Sequence, residues 1–130
     1  MARIKSLGPT EKELEILSIL WQNGPNTVRF VNLIMNRSEN TGYTTTLKQM
    51  QIMFEKGLLK RDESNKTHIY LPVHSESTIK EVVVSKMMDR IFSGSAGKLV
   101  LHALSSKKIS SEELSKIKKI IDQKEQELKL

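Results

Sequence analysis

Between Tyr43 and Leu59 the chain reads YTTTLKQMQIMFEKGLL, and the polar side chains in it are short hydroxyls, one amide and one cation: Thr44, Thr45, Lys48 and Gln51. Helical spacing puts these four, with Ile52, on one side and Leu47, Met50, Met53 and Phe54 on the other. Groups of this size and type suit hydrogen bonding to nucleic acid. Gln51 can bridge the N6 and N7 edge of adenine, the threonines can approach a phosphate or the methyl of thymine, and Lys48 can reach guanine or phosphate. Tyr43 can contact a phosphate through its hydroxyl or pack at the helix start. Around this stretch stand further candidate phosphate contacts. Arg29 begins the preceding helix, where free backbone N–H groups also attract anions. Lys60, Arg61, Lys66 and His68 follow in a hairpin, with Lys66 nearest its tip. Asp62 and Glu63 interrupt that basic run. For each of these residues the alternative is a solvated surface group.

The same inventory argues against catalysis. His68, His74 and His102 fall in a strand, a linker and a helix, and none has a carboxylate or a second histidine at metal-ligand spacing. No glycine-rich phosphate loop and no nucleophile elbow is present. The absence of cysteine removes disulfides, thiol chemistry and cysteine-ligated zinc together. The expectation is a non-enzyme with no metal and no cofactor. A net charge of +6 points to a polyanionic partner. It is shared evenly: residues 1–74 carry ten Lys/Arg against seven Asp/Glu, and residues 75–130 carry eleven against eight, so each part nets +3. No apolar run approaches the roughly 18 residues of a membrane span, and the amino terminus lacks the apolar core of a signal peptide, so a cytoplasmic protein without membrane insertion is expected.

The elements that must position these groups can be read in order. Residues 1–9 form an irregular arm with Arg3 and Lys5, ended by Gly8-Pro9. Thr10 and Glu13 have capping-box spacing, opening a helix with Leu14, Leu17, Leu20 and Trp21 on one face and Gly24-Pro25 as its stop. Thr27 caps a second helix, whose apolar side takes Val28, Val31, Leu33, Ile34 and Met35. The Tyr43–Leu59 stretch is the third, with Gly57 near its end. The period then changes to two over Leu58–Glu63 and Thr67–Val73, around a Ser64-Asn65-Lys66 turn. Three helices followed by a hairpin make a winged helix-turn-helix domain, in which the third helix enters the major groove and the hairpin lies along the backbone.

Beyond Pro72 and His74-Ser75 a second region begins, so that residues 1–74 form the DNA-binding domain and 75–130 a helical dimerisation domain. Ile79, Val82, Val83, Met87, Ile91 and Phe92 predict a long amphipathic helix closed by Ser93-Gly94, and a short helix around Leu99–Leu104 follows. Ser110 and Glu113 repeat the capping-box spacing ahead of a last helix with Leu114, Ile117, Ile121 and Leu128 on a near-heptad ladder. Three helices in about fifty residues bury too little to stand alone, which predicts pairing with a second copy through Ile79, Val83, Met87, Ile91 and the ladder. The fold class expected is mostly α with one small β-hairpin.

The runs LGPTEKELEILSILW (Leu7–Trp21), Thr27-Val28-Arg29, YTTTLKQMQIMFEKGLLKR (Tyr43–Arg61), HIYLPV and LVLHAL (Leu99–Leu104) together resemble the penicillinase-repressor (BlaI/MecI/CopY) family of bacterial transcription regulators. The resemblance implies a homodimeric repressor that binds an inverted repeat in double-stranded promoter DNA, and a membrane sensor metalloprotease as the partner that releases it. Copper-responsive members end in a cysteine-rich metal site, so a chain without cysteine does not match them. Antibiotic-responsive members are cut at an Asn-Phe bond in the segment matching Leu99–Leu104, where this chain has His102-Ala103. Many relatives carry Arg at the position of Ile52. A reading of a different class is a winged-helix scaffold for protein assembly with weak DNA contact. Sequence preference and salt-dependent affinity for duplex DNA separate the two.

Overall fold

The computed structural model describes residues 8–129, and the expected arm with Arg3 and Lys5 lies outside them. Among the described residues the elements run α1 (Glu11–Asn23), α2 (Val28–Met35), α3 (Tyr43–Glu55), β1 (Leu59–Asp62), β2 (Ile69–Pro72), α4 (Glu76–Ile91), α5 (Ala96–Ser106) and α6 (Ser111–Lys129). This is the winged helix-turn-helix order the sequence predicts, mostly helical with one antiparallel hairpin.

Local chemistry accounts for most boundaries. At the start of α1 the Glu13 N–H donates to Thr10 Oγ1 (3.2 Å) and the Thr10 N–H to Glu13 Oε1 (2.8 Å), completing a capping box. Thr27 caps α2 by accepting from the Phe30 N–H at 3.1 Å. Helix α3 closes in a Schellman turn, with Leu58 N–H donating to the Met53 carbonyl (2.9 Å) and Gly57 N–H to that of Phe54 (3.2 Å). Gly57 supplies the left-handed backbone this turn requires, at φ 84°. Both strands are shorter than the sequence period suggests. The ladder pairs Leu59 with Pro72 through to Asp62 with Ile69, and there the Asp62 carboxylate takes the Ser64 N–H (3.0 Å) and hydroxyl (2.7 Å) instead, turning the chain out of the sheet. Those two donors, the hydroxyl foremost, hold the Asp62 carboxyl below the usual range. Asn26 exchanges backbone hydrogen bonds with Tyr70 at 2.8 and 3.0 Å, tying the entrance of α2 to the wing.

The core lies where α1, α2, α3 and the hairpin meet: Ile16, Leu17, Leu20, Val31, Met35, Met50, Met53, Leu59 and Tyr70 are buried together. Leu33, expected on the apolar side of α2, is instead 63% exposed. Val28, Val31 and Met35 already form the inward stripe, and a residue two positions past Val31 is rotated about 200° from it. The described residues divide into two compact units, one through Met87 and one from Met88, with the division inside α4. In the first unit, Ile79 near the start of α4 is buried, and the Trp21 indole N–H donates to the His74 carbonyl at 3.1 Å. In the second, Ser95 and Ser110 cap α5 and α6 by accepting from the Lys98 N–H (3.0 Å) and Glu113 N–H (3.1 Å). Neither α5 nor α6 has a buried residue.

One ion pair sits at the edge of the winged core. Glu13 is 1% exposed, and while one carboxylate oxygen serves the capping box, the other accepts from Lys56 Nζ at 2.6 Å, joining the start of α1 to the end of α3. Removing the acid leaves an amide N–H without its partner and an ammonium that solvent can still reach, whereas removing the lysine strands a buried carboxylate with a single backbone donor. Glu13→Ala and Lys56→Met are therefore each expected to destabilise the fold by about 2–4 kcal/mol. Urea unfolding of both variants at one fixed protein concentration checks this; a much smaller loss for Lys56→Met would show that the cap, not the pair, carries the stability.

Candidate nucleic-acid interface

The outer face of α3 is built as its two-sided composition demands. Met50 and Met53 are fully buried and Leu47 and Phe54 pack against the core, which decides the side of the helix that faces inward. Thr44, Thr45, Lys48 and Gln51 are consequently exposed, and Ile52 with them. No side chain caps the start of α3, where Gly42 occupies the capping position, so the N–H groups of its first turn have no side-chain partner there.

A concave cleft of about 250 Å³ opens between α2, α3 and the wing. It brings together residues distant in sequence: Arg29 from α2, Tyr43 and Gln51 from α3, and Lys66 and His68 from the hairpin loop, with Tyr70 and Leu47 toward its floor. Among the described residues, no acidic one lines it. The Arg29 guanidinium lies over the Tyr43 ring at 5.2 Å, so the two phosphate-contact candidates form one cation–π unit at the lip of the cleft. Five of the ten residues predicted for nucleic-acid contact therefore converge here, and Thr44, Thr45 and Lys48 extend the surface along the exposed face of α3.

Arg61 stands apart. Its guanidinium stacks on Phe54 at 4.0 Å and reaches Tyr70 at 5.9 Å; NH1 donates to the Tyr70 hydroxyl (3.4 Å) and Nε to Glu63 (2.6 Å). The Tyr70 hydroxyl and then the Glu63 carboxylate keep its pKa above the usual value. With its side chain 19% exposed, Arg61 fastens the wing to α3 and does not line the cleft. Its neighbours Asp62 and Glu63 are likewise taken up, by Ser64 and by Arg61.

Sequence reasoning passed over a second set of residues, those that hold the turn between α2 and α3. Asn32 Nδ2 donates both to the Thr41 carbonyl and to Thr46 Oγ1 (2.9 Å each), and Thr46 is buried. The Asn36 side-chain amide donates to the Thr41 carbonyl and accepts from the Thr41 N–H, at 2.9 Å each. The signal was present as an asparagine among the apolar residues of α2, but it has meaning only once the fold brings Thr46 opposite it. Across the neighbouring surface, Lys12 of α1 pairs with Glu39 in the same turn, which depresses the Glu39 carboxyl mainly through that hydrogen bond.

Among the described residues no group of His, Asp or Glu could hold a metal ion. No helix among them is long and apolar enough to cross a membrane.

The arrangement has a counterpart among solved structures. A MarR family protein from Bacillus stearothermophilus superposes with a TM-score of 0.51 at 21% identity, covering 94% of this chain and 76% of that one, which is a likeness of fold. Among characterised proteins, the penicillinase repressor of Bacillus licheniformis is 21% identical over 114 residues, 88% of this chain and 89% of its own length. The methicillin resistance regulatory protein MecI of Staphylococcus aureus (strain N315) is 22% identical over 116 residues, 86% and 91% of the two chains. The transcriptional regulator BlaI of Mycobacterium tuberculosis (strain H37Rv) is 29% identical over 92 residues, 70% of this chain and 63% of that one. The penicillinase repressor family model matches residues 9–123, spanning every element from α1 into α6. The chain belongs to the penicillinase repressor family, whose members are transcriptional repressors and not enzymes.

Proposed function

We propose that this protein is a homodimeric transcriptional repressor that reads an inverted-repeat operator, with the exposed face of α3 in the major groove and the wing along the backbone. The observation that carries this reading is the acid-free cleft in which Arg29, Tyr43, Gln51, Lys66 and His68 meet beside Thr44, Thr45 and Lys48. A groove floor presents donors and acceptors to Lys48, Gln51 and the threonines, while its phosphate walls meet Arg29 on one side and Lys66 on the other. Arg61 contributes by holding the wing in place.

The helical tail supplies the second half of the proposal. In α6, Leu114, Ile121 and Leu128 are exposed and Ile117 is only partly covered, and in α4 Met87 and Ile91 are exposed with Val83 half-buried. An exposed apolar stripe on each of these helices suits a second copy of the same helices. Ile79 does not belong to it, since its side chain is covered within its own protomer. Release by proteolysis within α5 is part of the same reading: His102 and Ala103 are exposed, and a membrane-bound sensor metalloprotease is the partner proposed to cut there once the helix opens locally.

Selection of bound duplexes from a random pool tests the proposal directly, since it reports preference, palindromic symmetry and half-site spacing together; a pool that emerges without any preference overturns it. On the selected operator, replacing Lys48 and Gln51 by Ala is expected to reduce discrimination against random duplex by about 30-fold or more, at about 1–3 kcal/mol for each of the two base contacts. Lys66→Ala is expected to weaken operator and random DNA alike and to lower the salt slope by about one. Equilibrium titrations at several salt concentrations distinguish the two patterns, and a wing variant that changed discrimination would reassign Lys66 to base reading. Ile121→Lys is expected to shift sedimentation from dimer to monomer and to leave only weak half-site binding; a fully dimeric variant would place the interface outside the α6 ladder.

A further inference from the structure

The inner surface of α3 is held in two different ways along its length. Toward its carboxyl end Met50 and Met53 are buried in the apolar core. Toward its amino end, where Thr44, Thr45 and Lys48 project, the inward residue is Thr46, and its contacts are polar: Oγ1 accepts from Asn32 at 2.9 Å and lies 3.9 Å from the Met35 sulfur. The chain enters this turn from Thr41, whose carbonyl accepts from both Asn32 and Asn36 and whose N–H donates to Asn36 Oδ1. Asn36 is itself braced, since its Nδ2 also donates to the Asn32 carbonyl at 2.9 Å.

We infer that Asn32, Asn36 and Thr46 are positioning residues for operator recognition: their shared hydrogen bonds fix the angle and depth at which the first turns of α3 are presented, and so set discrimination between operator and random DNA. The inference rests on the repressor reading above. The physical reason is directional. Apolar packing tolerates small rotations of a helix, particularly when methionine supplies it, whereas hydrogen bonds lose strength steeply as their angles open. Base-edge contacts also require placement to a fraction of an ångström, while phosphate contacts through long lysines do not. Loosening this end should therefore erode specific binding and spare non-specific binding. None of the three side chains needs to touch DNA for this to hold.

Thr46→Val keeps the shape of the side chain and removes the hydroxyl, and Thr46→Ser keeps the hydroxyl. Operator and random-duplex affinities of the full-length protein are measured at one salt concentration and at a temperature where circular dichroism shows each variant folded. The wild-type ratio must exceed unity for the repressor reading to stand, so failure of that reading registers before any variant is compared. Thr46→Val is expected to lower the ratio about tenfold by weakening operator binding alone, since a lost hydrogen bond of this kind is worth a factor of that order. Thr46→Ser is expected to keep most of it. Asn36→Ala, at an exposed position, gives an independent reading and decides the matter if Thr46→Val does not fold. Ratios within twofold of wild type in the folded variants, or equal losses on both duplexes, would overturn the inference.

Discussion

Helix α3 has to satisfy two surroundings at once, and the remainder of the winged unit follows from that constraint. One face must be dry enough to anchor it and the other must offer hydrogen bonds outward. With aromatics at only 5% of the chain, the dry face is made mostly of methionine and aliphatic side chains, Met50 and Met53 above all, with Phe54 beside them. Methionine fills irregular space well but specifies rotation poorly. Directional bonds at the two ends remove the residual freedom: a Schellman turn at Gly57 and the asparagine–threonine bonds to Thr41 and Thr46. The hairpin adds a third restraint through Arg61, stacked on Phe54 and bonded to Tyr70. A helix restrained this way can leave its outer face entirely to other chemistry.

Charge is distributed by the same logic. A net charge of +6 spread over 130 residues says little about where a polyanion would sit. What matters is which acids are neutralised locally. Glu13 is paired with Lys56, Glu39 with Lys12 and Glu63 with Arg61, all away from the cleft. Among the described residues, those lining the cleft include Arg29 and Lys66 and no carboxylate. A weakly basic protein thereby presents a locally positive surface, the condition under which counterion release favours binding to a duplex.

Much of this was legible from residue types alone. Thr10 with Glu13, Thr27, Gly57 and Ser110 each announce a boundary through local hydrogen bonding, and local rules hold wherever a cap involves residues three or four apart. The outer face of α3 was equally readable, because helical period alone assigns sides when the inner face is strongly apolar. Leu33 was misplaced because α2 is a short helix whose inward stripe is already complete without it. The stacking of Arg61 on Phe54 and its bond to Tyr70 were not legible, because the sheet register brings Tyr70 opposite it and the packing of α3 on the hairpin brings Phe54. Asn32 and Thr46 escaped notice for a like reason: their bond spans fourteen residues and depends on the angle between two helices.

The tail changes what a single winged unit can accomplish. Under the proposed reading one α3 offers few side chains to base edges, and at about 1–3 kcal/mol per contact a lone reader falls short of the margin that separates an operator from the bulk of a genome. Under the proposed dimer, the second reader binds at an effective concentration set by the first, and the apolar residues of α6 serve as the linker that fixes half-site spacing. Because α5 and α6 contain no buried residue within one chain, their folding and their pairing are expected to be a single event. In the proposed dimer, stability of the tail enters operator affinity directly, so that a step disturbing it, at α5 or elsewhere, is expected to lower DNA binding without touching the residues proposed to read it.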